Sequence, residues 1–186
     1  MSRVLQYFDG GSICPFAQAA VRAPAGVVAV ELEQLDDDEV LVSQLSAFTS
    51  ATAAAIVLAP SDPASHAEAR TLAGQLFGRL ALACHQLNHP SATISRAKVL
   101  HDIQCAQADP VRHPLLDLHG SPLFTVAMGP AYPPAHPRYA PHLCVVMTWQ
   151  FDVVRATLTH PKVVARIREA MRERTGTVYD AVSLYL

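Results

Sequence analysis

Residues 113–151, HPLLDLHGSPLFTVAMGPAYPPAHPRYAPHLCVVMTWQF, decide how this chain is read. Two apolar runs, Leu123–Met128 and Leu143–Thr148, have the length and composition of buried strands. Between them lies a loop carrying Pro130, Pro133, Pro134, Pro137 and Pro141, with Tyr132, His136, Arg138, Tyr139 and His142. Proline fixes φ, so such a loop is restricted before any ligand arrives, and its side chains lose less freedom on binding. An ordinary proline-stiffened connection would have the same composition; the histidines, arginine and tyrosines make it the first place to look for a site.

Working outward, Gly26–Leu32 and Ala53–Ala59 also read as buried strands, and Arg3–Phe8 as a short one. The acidic cluster Asp36–Glu39 suits a helix start, with Val40, Leu41, Leu45 and Phe48 on the buried face. The longest helix is predicted from Asp62 to about Asn88, where Leu72, Leu76, Leu80, Cys84 and Leu87 fall three and four apart. Pro63 sits just inside that start and Pro90 just past the end. A helix opening at Pro15, another over Ser95–Ala108 and a basic one over Pro161–Arg174 complete the pattern. Alternating strands and helices followed by a proline-interrupted strand pair predict an α/β or α+β fold. The expected architecture is a mixed β-sheet covered by helices in one layered domain, residues 1–186.

Composition narrows the class. Hydrophobic residues make up 51% of the chain and charged residues only 16%, which suits surface burial in a homodimer or around a large apolar ligand. The net charge of −2 and the lack of a basic run before the last helix argue against nucleic acid as a partner. No stretch is long enough to span a bilayer, so no membrane role is expected. The N-terminal residues have no apolar signal core, and Cys14, Cys84, Cys105 and Cys144 are scattered without CxxC spacing. A cytoplasmic protein with mostly reduced thiols is the expectation.

Cys14 precedes Pro15 at the expected helix start, where unpaired N–H groups and the helix dipole favour a thiolate. It would serve as a catalytic nucleophile or ligand; the alternative is a small buried capping residue. His136 precedes Pro137, which biases it towards an extended backbone. A neutral imidazole on a stiff loop makes a ligand for haem iron or another metal, so His136 is the first candidate and His142 the second. Arg138 suits a bidentate contact to a carboxylate or a propionate, and Tyr132 and Tyr139 are placed to line the same loop. His85 and His89, four apart near the end of the long helix, could share a metal, but helix-terminal polar positions explain them as well. No nucleophile elbow, P-loop or dinucleotide fingerprint is present.

Taken in order, the CPFA turn at Cys14–Ala17 followed by Gln18, the long middle helix, the segment Asp117–Phe124, the proline- and arginine-rich loop, and Gln150–Phe151 resemble the YqcI/YcgG family. Its better-understood members include haem-dependent N-hydroxylases of free amino acids. Where that family has His-Pro after the first strand of the pair, this chain has Gly129–Pro130, and its His-Pro pair lies at His136–Pro137.

The resemblance implies a haem-dependent oxygenase acting on an amino or guanidino group of an amino-acid-like small molecule, with an electron donor as partner. Haem is the implied cofactor, His136 the implied metal ligand, His142 and Arg138 further cofactor contacts, and Tyr139 a catalytic hydrogen-bond donor. Two other readings stand beside it: a thiol-dependent enzyme using Cys14 with a histidine base, and a non-catalytic accessory subunit.

Overall fold

The strands form where β-branched and small apolar residues run together, and the helices where apolar residues recur every three or four. In the computed structural model, which describes residues 26–52, 54–91, 97–98, 101, 116–134, 136, 138–149 and 159–175, eight elements follow one another. They are β1 (Val27–Glu31), α1 (Asp38–Leu45), β2 (Ala54–Leu58), α2 (His66–Asn88), β3 (Leu116–Leu118), β4 (Ser121–Met128), β5 (Cys144–Thr148) and α3 (Pro161–Thr175). The expectations at Arg3–Phe8, Cys14–Gln18 and Gln150–Phe151, and nearly all of Ser95–Ala108, lie outside the described residues.

The five strands form one mixed sheet in the order β1-β2-β5-β4-β3. β1 and β2 are parallel, joined by the α1 crossover, whereas β5 pairs antiparallel with both β2 and β4. This is an α/β fold of the class the sequence predicts. Strand alternation sends Val30, Val57, Val145 and Met147 to one face, where α1 and α2 cover them with Leu41, Leu45, Leu76, Phe77 and Leu80. Each of those large side chains contributes about 1.5–3 kcal/mol by leaving water. The other face carries Ile56, Leu58, Phe124, Val126, Met128 and Val146, which are equally buried.

Three local differences from the sequence reading have physical causes. α2 begins at His66 rather than Asp62, because Ser65 caps it: Ser65 Oγ accepts the Glu68 N–H, and Glu68 Oε2 reaches back to accept the N–H of Ala64, the residue before the cap. Val40 is exposed, at 44%, since a helix of only eight residues buries Leu41 and Leu45 and leaves the adjacent position outside. β3 and β4 form a tight hairpin through His119 and Gly120, both at positive φ, as a type I′ turn requires. Asn88, the last residue of α2, pins that hairpin by donating to Asp117 and accepting the His119 N–H.

Candidate functional site

The site lies at one end of the sheet, where the carboxyl ends of β2 and β4 flank the start of β5. Leu58, Cys144 and Met128 are neighbours in one row there. The β4–β5 loop leaves this row and folds back on itself. Gly129 donates to the Arg138 carbonyl at 2.9 Å, and its own carbonyl accepts from Ala140 at 3.3 Å, making a short bridge between Gly129 and Tyr139. Further turns are closed by His136 N–H to the Pro133 carbonyl and Tyr139 N–H to the His136 carbonyl. Gly129 suits this crossing because an added Cβ would lie 3.2 Å from Leu143 Cδ1.

That folding buries two polar side chains the sequence singles out: His136 and Arg138 are each only 4% exposed. Tyr132 lies between them, its ring stacked on His136 with centroids 4.4 Å apart and its hydroxyl accepting from Arg138 Nη1 at 3.2 Å. His66, first residue of α2, meets the Tyr132 ring edge-on at 5.5 Å. His136 Nδ1 accepts the backbone N–H of Arg138 at 3.0 Å, so in the neutral ring the proton sits on Nε2. Burial first, then the nearby Arg138 and His66, push the His136 pKa down to about 4. The imidazole is therefore neutral at pH 7. Ligation through Nε2 would move that proton to Nδ1, and ligation through either nitrogen would break the Arg138 bond. In this arrangement His136 is tied into the loop through Nδ1 and the Tyr132 stack.

His142 has the opposite arrangement. Its Nδ1 lies 2.7 Å from Asp62 Oδ2, and the other Asp62 oxygen accepts the Leu143 N–H at 3.0 Å. An ionised carboxylate only accepts, so Nδ1 carries the proton and the neutral ring has its lone pair on Nε2. The side chain remains 21% exposed. A carboxylate behind Nδ1 is the usual support of a ligating histidine, fixing the ring and raising the basicity of the other nitrogen. With Nδ1 held by Asp62, Nε2 is the nitrogen that would meet a ligand. Asp62 has no motif of its own in the sequence; eighty residues separate it from His142, and only the β2–β5 pairing brings them together.

Between the first turns of α2 and the loop is a cavity of about 20 Å³, lined by His66, Arg70, Ala73, Met128, Tyr132 and Leu143 among others. It has room for a water but not for a macrocycle. Tyr139 points outward at 36% exposure, apart from the buried pair, while Cys14 lies outside the described residues. Cys84 and Cys144 are buried, and burial followed by the charge of Asp117 pushes the Cys84 thiol up to about 12, which keeps it protonated. Among the described residues no group of three or more His, Cys, Asp and Glu gathers to hold a metal, and no helix is long and apolar enough to cross a membrane. Comparison of the chain with known protein families, with curated proteins and with solved structures finds no match in any of the three.

Proposed function

We propose that this protein is a haem-dependent oxygenase of YqcI/YcgG type, hydroxylating an amino or guanidino nitrogen of an amino-acid-like small molecule, with His142 as the protein's iron ligand. The observation that carries the reading is the Asp62–His142 pair at 2.7 Å, which presents an oriented imidazole at the end of the sheet. Haem is too large for the cavity beside α2, so it would have to lie on the solvent side of His142, where it would supply the oxygen activation that amine hydroxylation needs. The chain's own residues do the rest. Asp62 holds the ring of His142 and the backbone of Leu143 with its two oxygens. Tyr132 and His136 stiffen the inner wall of the loop by stacking. Arg138 keeps a fixed positive charge behind that wall, favouring a carboxylate-bearing substrate or the propionates of the cofactor.

The reading is tested by the absorption spectrum of the purified protein after hemin is added and the excess removed. A Soret band that shifts on reduction and again with carbon monoxide supports an open haem site. A protein that remains colourless removes the reading and returns attention to the thiol of Cys14.

A further inference from the structure

At the far end of α2 from the loop, His85 and His89 stand one helical turn apart with ring centroids 4.8 Å from each other and planes tilted by 59°. We propose that this pair is a two-histidine site for a divalent transition-metal ion such as Zn²⁺. The tilt matters, because parallel rings keep their in-plane lone pairs parallel, whereas tilted ones can converge on one ion. With Zn–N bonds of about 2.0–2.1 Å, two nitrogens on one tetrahedral ion lie roughly 3.3 Å apart, within reach of rings so spaced. The backbone fixes the spacing, since the His89 N–H donates to the His85 carbonyl at 2.9 Å and closes the last turn.

The surroundings favour a cation. The carbonyl end of a helix carries partial negative charge. Asn88, between the two histidines in sequence, holds the Asp117 carboxylate at 2.9 Å, adding a negative side chain at the same helix end. His85 is half-buried and His89 exposed, so the ion reaches the pair from solvent and keeps waters in its remaining positions. From His66 to His85 the helix rises roughly 30 Å, so this site is separate from the loop and does not depend on haem. By bridging the final turn, the metal would tie down the helix end whose Asn88 pins the β3–β4 hairpin.

Calorimetric titration of the full chain with Zn²⁺ tests the site. The expected result is one ion bound with micromolar affinity, weakened at least tenfold by His85→Gln and equally by His89→Gln. Zinc is also expected to raise the melting temperature of the parent protein reversibly with EDTA, and to leave that of the exposed-site variant His89→Gln unmoved. No zinc uptake, or uptake and melting shifts indifferent to both substitutions, would overturn the proposal.

Discussion

The two halves of the β4–β5 loop each offer a histidine beside a proline, His136–Pro137 and Pro141–His142, and the two are used in opposite ways. In the first half the ring is buried, stacked on Tyr132 and turned so that Nδ1 accepts from the chain's own backbone. In the second half the ring stays partly exposed and Nδ1 donates to Asp62. One histidine therefore holds the loop from inside, and the other is held by a carboxylate at its partly exposed edge. The difference comes from what faces Nδ1, an N–H in one case and a carboxylate in the other, and residue type alone carries no information about that.

The largest effect that would break this contrast comes from the first half. Tyr132→Ala removes both the stacking partner of His136 and the hydroxyl that accepts from Arg138. The expected loss is about 3 kcal/mol of stability by chemical denaturation. Tyr132→Phe keeps the stack and is expected to lose about a third of that. Equal losses would mean that the hydroxyl, not the stack, holds the loop.

An intermediate effect is expected from acid. The folded-state pKa of His136 is lowered from the ordinary value of 6.5 to about 4. The unfolded chain therefore binds this proton first, so stability is fully present above pH 6.5 and falls as pH drops from there to about 4. The loss attributable to this residue is at most about 3 kcal/mol, and His136→Gln is expected to flatten that part of the stability–pH curve. An unchanged curve in the variant would contradict the buried neutral ring.

The smallest expected effect is from the second half. Asp62→Asn keeps an oxygen for the Leu143 N–H but loses the charge behind His142. Because the carboxylate is more than a third exposed, about 1 kcal/mol or less of stability is expected to go. A loss as large as that of Tyr132→Ala would make Asp62 a structural anchor of the loop rather than a support for the ring.

Much of the frame is legible in the sequence. The apolar runs Ala53–Ala59, Leu123–Met128 and Leu143–Thr148 declare buried strands, which stand at Ala54–Leu58, Ser121–Met128 and Cys144–Thr148 with residues facing two covered sides in turn. The stripe Leu76–Leu80–Cys84 likewise declares the inner face of α2. The start of α2 is read four residues early because Pro63 is a good first helical residue, yet the Ser65–Glu68 cap outweighs it. The β3–β4 hairpin is hidden because His119, not the more usual Asn or Asp, takes the first left-handed position before Gly120. The loop is visible as a candidate site from composition, but the ranking of its two histidines is not. That ranking depends on Asp62, which reaches His142 only through strand pairing of residues eighty positions apart.

The most direct test loads hemin onto two variants and compares their Soret absorbance after the excess is removed. His142→Ala is expected to lose haem retention entirely, while His136→Ala, though less stable, is expected to keep a Soret band of parental position. Loss of the band in His136→Ala with retention in His142→Ala would contradict the account and return the ligand to the buried half of the loop.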